Sequence, residues 1–342
     1  MWPFLSPKGR FFEKDALDYP LGRSIYKRMK DMGVEIRVIG SHNRILGIPG
    51  KTPAQAYYEG KRTLVIGVRR SRDFQTCRPS AHYQLPIATS CPGMCEYCYL
   101  NTTLGKKPYL RVYVNIEEIL DRAEEYIEKR KPEITVFEGA ATSDPLPTEP
   151  YTGNLKKVIE FFAARDYGRF RFVTKFTEVD SLLQIHHGGH TRFRFSLNSD
   201  YVIRRFEHNT PSVEERLHAA GKVSKAGYPL GFIIAPILIY KNWREDYSAL
   251  FKHLKSHLEP ESLKDIAFEL ITHRFTRRAK ANILEVFPGT CLPMEEGTRR
   301  FKYGQFGYGK FVYPPEIMDE IKEFFYNCIN RLFPEGEIAY FV

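Results

Sequence analysis

The chain has 342 residues, of which 43% are hydrophobic and 27% are charged, and this composition excludes a largely disordered protein. Lysine and arginine together number 51 against 41 aspartates and glutamates, which gives a formal net charge of +10. With 21 tyrosines and 25 phenylalanines, the chain suits a polyanion such as nucleic acid, because cations neutralise phosphates and rings stack on bases. Charge alone is equally compatible with a basic enzyme that binds no nucleic acid.

The sequence carries no signal for export or membrane insertion. Its first residues lack an apolar signal core. The longest apolar run, 231–240, is about half the length that a bilayer span requires. We therefore expect a cytoplasmic protein without a membrane partner, whose six cysteines do not form a disulfide framework.

Strand-like and helix-like segments alternate from residue 83 onward. Apolar or β-branched runs predict strands at 83–89, 134–140, 170–176, 192–198, 230–240 and 266–272. Helical patterns lie at 115–131, 154–165, 179–186, 212–226, 243–257 and 315–332. This order predicts an α/β fold of parallel strands with right-handed crossovers. These strand–helix units are too few for a closed eight-stranded barrel. We therefore expect a partial barrel, with a doubly wound sheet as the alternative.

Three regions follow from this pattern. Residues 1–82 form an N-terminal accessory region and 83–278 the partial barrel. Residues 279–342 form a C-terminal extension with a Gly/Tyr-rich segment followed by a helix. Ligands are expected at the carboxyl ends of the barrel strands.

The most specific motif is a triple of cysteines directly after the first predicted core strand. Cys91, Cys95 and Cys98 are spaced C-x-x-x-C-x-x-C. Thiolates favour zinc and iron–sulfur clusters, and zinc usually takes four protein ligands. Three thiolates instead suit a 4Fe–4S cluster with one open iron that chelates S-adenosylmethionine. We interpret the motif in this way, with a zinc knuckle as the alternative.

A cluster of this kind supports radical chemistry. An electron from a reducing donor enters the sulfonium and releases a 5′-deoxyadenosyl radical, which abstracts hydrogen from a substrate C–H bond. The cofactor carries this chemistry, and the protein supplies orientation and electrostatics. The rest of the pocket must therefore select the substrate.

At this point the chain resembles the spore photoproduct lyase family. The resemblance rests on S-C-P-G-M-C-E-Y-C-Y-L at 90–100, E-G-A-A-T-S-D at 138–144 and F-S-L-N-S at 195–199. It implies a partial (β/α)6 barrel, a 4Fe–4S cluster, S-adenosylmethionine and reversal of 5-thyminyl-5,6-dihydrothymine in spore DNA without light. It also places the protein in the interior of the spore. The sequence leaves the oligomeric state open, and we expect a monomer.

The resemblance assigns roles to matching residues. Cys91, Cys95 and Cys98 match the cluster ligands. Ser143, Lys175 and Ser196 fall at strand ends where the family contacts S-adenosylmethionine. Tyr97 and Tyr99 match tyrosines implicated in returning a hydrogen atom or electron towards the adenosyl group.

One departure from the family concerns the end of the reaction. The family carries a cysteine before Thr-Ser-Asp, where this chain has Ala141. That cysteine gives hydrogen to the product thymine radical, and alanine has no comparably weak bond to hydrogen. We predict a chain that starts the reaction and completes it poorly. Either an engineered replacement or a natural enzyme with another donor explains Ala141, and Cys77 is the cysteine nearest in sequence.

A cross-linked thymine pair must leave the duplex to reach a buried cofactor. The segment 299–313 suits this task as a hairpin, with Arg299, Arg300, Lys302 and Lys310 for phosphates and Tyr303, Phe306 and Tyr308 as wedges. The alternative is a basic hairpin whose rings pack on its own barrel. The basic runs 69–72 and 274–280 are further candidates for backbone contact.

Two other functions remain open from sequence. Another radical S-adenosylmethionine enzyme that modifies nucleic acid would share the cysteine motif. A metal-stabilised nucleic-acid-binding protein without activity would share the charge. We expect Cys291 and Cys328 to be ordinary buried thiols.

Overall fold

The computed structural model describes residues 9–43, 45–139, 141–303 and 309–342. The strands are β1 (Arg10–Glu13), β2 (Ile36–Ile39), β3 (Leu64–Gly67), β4 (Thr76–Cys77), β5 (Ala81–Gln84), β6 (Ala88–Thr89), β7 (Met94–Cys95), β8 (Leu110–Tyr113), β9 (Thr135–Glu138), β10 (Gly168–Thr174), β11 (Thr191–Leu197), β12 (Glu207–His208), β13 (Leu230–Ile237), β14 (Ile266–Thr272), β15 (Arg300–Tyr303), β16 (Gly309–Val312) and β17 (Glu337–Phe341). The helices are α1 (Pro20–Asp31), α2 (Pro53–Lys61), α3 (Leu100–Thr103), α4 (Ile116–Glu128), α5 (Glu149–Thr152), α6 (Asn154–Ala163), α7 (Asp200–Phe206), α8 (Val213–Lys225), α9 (Trp243–His257), α10 (Arg277–Val286) and α11 (Pro315–Leu332). Within those ranges, no helix has both the length and the apolar character that crossing a bilayer demands.

The first of two compact units contains the described residues up to Gly93, Leu104–Thr174 and Asp180–Arg192. One of its sheets has the order β2-β1-β3-β8-β6, with β1, β2, β3 and β8 parallel and β6 antiparallel to β8. Phe12, Leu64 and Val112 pack in its core, because inward-facing apolar side chains of neighbouring strands meet on one face. A second set of strands in this unit runs β10-β9-β5-β4, with only the β4–β5 pair antiparallel.

The second unit contains Met94–Thr103, Lys175–Val179 and Phe193–Val342. Its parallel strands follow the order β11-β13-β14-β17. Helix α8 begins with a capping box, in which the Ser212 and Glu215 side chains satisfy each other's backbone N–H groups. Phe251, Phe268 and Phe325 are fully buried. The Phe251 ring packs edge to face against both other rings, which holds α9 against α11 and the sheet.

Most predicted barrel elements are confirmed, but three of the predictions from sequence require correction. The helix predicted at 179–186 is a single 3-10 turn, Asp180–Leu182, because every third residue of this segment is buried and two glycines with positive φ, Gly188 and Gly189, follow it. Cys291 is exposed rather than buried, whereas the buried position of Cys328 is confirmed. The predicted strand 83–89 is divided into β5 and β6, which belong to different sheets.

Candidate active site

Two of the three motif cysteines lie on a short antiparallel pair of strands and the turn that follows it. In the β7–β12 pair, Cys95 lies opposite Glu207. The backbone N–H of Cys98 donates to the carbonyl of Cys95 at 3.2 Å, and the Asn101 amide donates to the same carbonyl at 3.4 Å. Cys95 is buried, and Cys98 is half-buried. The turn therefore holds two thiols close together in sequence and in backbone geometry.

A buried charge cluster lies next to this turn. Lys175 donates to Ser196 Oγ at 2.8 Å and to Glu207 Oε1 at 3.1 Å. Its Nζ also lies 3.4 Å from the Tyr97 hydroxyl, which itself donates to Glu207. Arg216 Nη2 lies 2.7 Å from Glu207 Oε2, and both side chains are fully buried. We call these five residues, Tyr97, Lys175, Ser196, Glu207 and Arg216, the lysine cluster.

The lysine cluster fixes the charge of its carboxylate. Burial by itself raises the pKa of Glu207, but Arg216 and Lys175 nearby and the hydrogen bond from Tyr97 outweigh burial and lower this pKa to about 2. Burial, followed by the charge of Glu207, raises the pKa of Tyr97 well above its ordinary value. The cluster therefore combines a permanent anion, a neutral phenol and two cations.

The structure brings the predicted cofactor residues Lys175 and Ser196 into direct contact, together with Tyr97. Sequence reasoning missed Glu207 and Arg216. The available signal was the position of Arg216 on the apolar face of α8, three and four residues before the buried Ala219 and Ala220, where a charge requires a partner.

Ser143 and Ala141 belong to the first unit, in the loop that follows β9. Ser143 is buried, donates to the Gly139 carbonyl at 3.3 Å and forms a parallel bridge with Ser90. The Ser90 N–H donates to the Thr142 carbonyl at 2.8 Å. Because Ser90 directly precedes Cys91, these backbone contacts hold the loop of Ala141 next to the start of the cysteine motif.

Cys77 lies in the same set of strands as this loop. It is half-buried on β4, opposite Ala81 of β5. Further along that pair, the Gln84 N–H donates to the Gln75 carbonyl at 2.8 Å, and the Gln84 side chain donates to Thr142 Oγ1 at 2.8 Å. Cys77 is therefore on a strand that is joined through β5 to the residue after Ala141.

A cavity of about 760 Å³ lies within the second unit beside the cysteine turn. Its lining includes Tyr97, Cys98, Tyr99, Arg274, Arg278 and Lys310. Tyr99 is exposed. The cavity thus combines residues of the cysteine motif with four cationic residues, since Arg277 also lines it, and we call it the basic cavity.

The predicted hairpin is present as β15 and β16, with Lys302 opposite Lys310 and Arg300 opposite Val312. Arg300 and Lys302 are exposed, and Tyr303 is 75% exposed. The predicted wedge residues Phe306 and Tyr308 lie outside the described residues, as do the two glycines at 304 and 307. The exposed charges and ring of β15 are available to a large partner.

Arg299 is used differently from its hairpin neighbours. Its guanidinium lies 3.7 Å from the centre of the Tyr313 ring and donates to the His273 carbonyl at 2.9 Å and to the Pro293 carbonyl at 3.1 Å. These contacts support a role in anchoring the base of the hairpin. Direct contact of Arg299 with DNA stays a prediction.

The donor chemistry of the motif fits an iron–sulfur cluster, since none of the three cysteines forms a disulfide. Cys91 and Cys98 are half-buried, and Cys95 is buried. Among the residues described, no three histidine, cysteine, aspartate or glutamate side chains stand together as a ready metal site. A cluster assignment therefore rests on residue type and spacing.

Comparisons with known proteins agree with one another. A family model described as spore photoproduct lyase matches residues 5–342. The spore photoproduct lyase of Clostridium acetobutylicum is 54% identical over 331 residues, covering 97% of each chain. That of Bacillus subtilis is 48% identical over 339 residues, covering 99% of each chain.

Solved structures give the same answer. A spore photoproduct lyase complexed with dinucleoside spore photoproduct has a TM-score of 0.96 at 49% identity and covers 100% of both chains. A variant that has lost one cysteine and gained another, with bound AdoMet and the same dinucleoside, has a TM-score of 0.96 at 50% identity, covering 99% of both chains. These matches confirm the predicted α/β class of partial barrel.

Proposed function

Because the chain belongs to the spore photoproduct lyase family, we propose that it is the DNA repair lyase that converts 5-thyminyl-5,6-dihydrothymine back into two thymines. The observation that carries this proposal is the lysine cluster, in which Lys175, Ser196 and Tyr97 meet beside the cysteine turn. Similar proteins have been solved with AdoMet and with dinucleoside spore photoproduct. The relatives at 48–54% identity are all spore photoproduct lyases, so neither alternative function is favoured.

We propose that Cys91, Cys95 and Cys98 hold a 4Fe–4S cluster. Three cysteines that form no disulfide would provide soft ligands for three irons and leave the fourth iron for S-adenosylmethionine. When bound, the cluster and S-adenosylmethionine supply a radical that removes a hydrogen atom from the lesion. A reducing electron donor is required as a partner.

In this proposal the lysine cluster is the binding site for the cofactor's amino acid end. Lys175 supplies a cation for its carboxylate, and Ser196 supplies a hydroxyl 2.8 Å from Lys175. Glu207 pairs with both Lys175 and Arg216. Because Glu207 and Arg216 are fully buried, they hold Lys175 in position. Ser143 is proposed as a further cofactor contact.

The end of the reaction requires a hydrogen donor, and Ala141 cannot be one. We propose that Cys77 gives its thiol hydrogen to the product thymine radical. The strand that carries Cys77 is connected through Gln84 to Thr142, beside Ala141. A solved variant of the family likewise combines a lost cysteine with an added one. Tyr97 and Tyr99 would then relay a hydrogen atom from the adenosyl group to the resulting sulfur radical, so that the thiol and both phenols are restored. If Cys77 does not act as the hydrogen donor, we predict that a protein with Ala141 has impaired turnover.

The DNA partner is proposed to bind as damaged duplex with the thymine pair flipped out. Arg300 and Lys302 are exposed on β15, where they can contact phosphates, and Tyr303 provides an exposed ring. We propose that the protein acts as a monomer in the cytoplasm of the cell that becomes the spore interior.

One experiment tests the function. The cluster is reconstituted anaerobically, and cleavage of S-adenosylmethionine is followed with and without an oligonucleotide that carries the lesion. We expect thymine recovery only with the lesion, and its loss in Lys175→Met. Lys225→Met is the control, since Lys225 has a 73% exposed side chain. Cleavage that ignores the lesion would exclude repair, and no cleavage at all would exclude radical chemistry.

A further inference from the structure

Arg274 and Lys310 flank a close contact between two chain segments. The N–H of Phe275 donates to the Phe311 carbonyl at 3.1 Å, and the N–H of Phe311 donates back at 2.7 Å. The two phenyl rings stack with centres 5.2 Å apart in the core of the second unit. Arg274 directly precedes Phe275 and Lys310 directly precedes Phe311, and both cations line the basic cavity.

These two cations lack anionic partners. In the part of the chain that the structure describes, neither the Arg274 nor the Lys310 side chain makes an ion pair or a hydrogen bond. Their neighbours Arg277 and Lys280 are different, because both are paired with Glu296, at 3.1 and 3.9 Å. Among the described cations that line the cavity, Arg277 is therefore neutralised by Glu296, whereas Arg274, Arg278 and Lys310 have no ion pair.

The surroundings of Lys310 favour an anion. Burial, followed by the charges of Arg274 and Lys302, lowers the pKa of Lys310. Lys302 lies directly opposite Lys310 in the β15–β16 pair. Like charges held together without a counter-charge cost free energy in the empty protein, and a bound anion removes that cost.

We propose that Arg274 and Lys310 form a phosphate subsite that binds the phosphodiester joining the two thymidines of the lesion. This inference rests on the repair function proposed above. The cavity that they line also contains Tyr97, Cys98 and Tyr99, so an anion bound by the pair lies in the same cavity as the cysteine turn. A dinucleoside, the ligand of the solved relatives, has no phosphate with which to fill such a subsite.

The test compares two synthetic lesions, one with the bridging phosphate and one without it. Their dissociation constants are measured by calorimetry on the reconstituted protein with S-adenosylmethionine present. We expect the phosphate-containing lesion to bind about tenfold more tightly to the unmodified protein, as for one charged hydrogen bond. In R274Q/K310Q this preference disappears, while the affinity for the dinucleoside lesion is unchanged.

The matched control is R204Q/K225Q, which also removes two cations but from side chains that are 79% and 73% exposed. It should keep the preference for phosphate. A preference that survives in R274Q/K310Q would overturn the subsite alone. If R274Q/K310Q lost affinity for both lesions equally, the pair would bind another part of the substrate or the cofactor. That result would also overturn the subsite. If neither lesion binds the unmodified protein, the repair function fails and the subsite fails with it.

Discussion

Glu207 lies directly opposite Cys95 in the two-stranded β7–β12 pair. The carboxylate that pairs with Lys175 and Arg216 therefore lies on the strand next to the one that carries Cys95, a proposed cluster ligand. The pairing of these two strands fixes the register between Glu207 and Cys95.

The first prediction concerns this carboxylate. Glu207→Gln preserves shape but leaves Arg216 buried without a counter-charge. The free energy of unfolding should fall by about 3 kcal/mol, the usual effect of breaking a buried ion pair. Urea denaturation of the unreconstituted protein measures it. Glu214→Gln is the control, since Glu214 is 61% exposed and its loss should cost less than about 1 kcal/mol. Equal stability of Glu207→Gln and the unmodified protein would contradict the prediction.

The second prediction concerns pH. Burial, and then the charge of Arg299, lowers the pKa of His273 to about 3 from an ordinary 6.5. Between these values the unfolded chain binds a proton that the folded chain does not, so stability is lost as the pH falls through this range. The expected slope is up to about 1.4 kcal/mol per pH unit.

His273→Asn should flatten this slope, because an amide oxygen can still accept from Arg299 but does not titrate. Denaturation midpoints between pH 6.5 and 4 measure the difference. The exposed His218, changed to Asn, serves as the control and should leave the slope as it is. If the dependence of stability on pH is unaltered in His273→Asn, other groups cause the loss of stability at low pH.

The third prediction separates the two explanations of Ala141. If Cys77 donates hydrogen, Cys77→Ser should lower the yield of clean thymine by about tenfold or more, and C77S/A141C should restore it. Cys291→Ser is the control, since Cys291 is exposed. Product analysis by mass spectrometry measures thymine and adducts. If Ala141→Cys alone raises the yield while Cys77→Ser changes nothing, the chain lacks a donor of its own.

The fourth prediction tests the hairpin ring. Tyr303 is 75% exposed, so its removal should not disturb packing. If the ring fills the gap left by the flipped pair, Tyr303→Ala should reduce repair of duplex DNA by about tenfold and leave repair of an isolated dinucleotide unchanged, since only the duplex requires unstacking. Tyr58→Ala, at an exposed position of the first unit, is the control. Equal losses on both substrates would exclude a wedge.

Much of the fold was predictable from the sequence because the relevant patterns are local. Buried strands such as β13 and β14 read as apolar runs, and the Ser212–Glu215 capping box marks the start of α8. The helix expected at 179–186 failed because its apolar spacing also fits tight turns, and only the glycines that follow it distinguish the two. Helix α10 was not predicted because most of its residues are exposed and several are basic. Its apolar face is short, with Ile283 buried, and gives only a weak helical pattern.

The sequence by itself determined the cysteine spacing, the family and the types of residue at the strand ends, since these depend on order along the chain. Only the tertiary structure decided that Glu207 and Arg216 complete the site of Lys175, and that Arg274 and Lys310 share a cavity while Arg277 and Lys280 share Glu296. The physical reason is that a charge acquires its role from the partner it meets, and residues far apart in sequence become partners only when the strands that carry them pair.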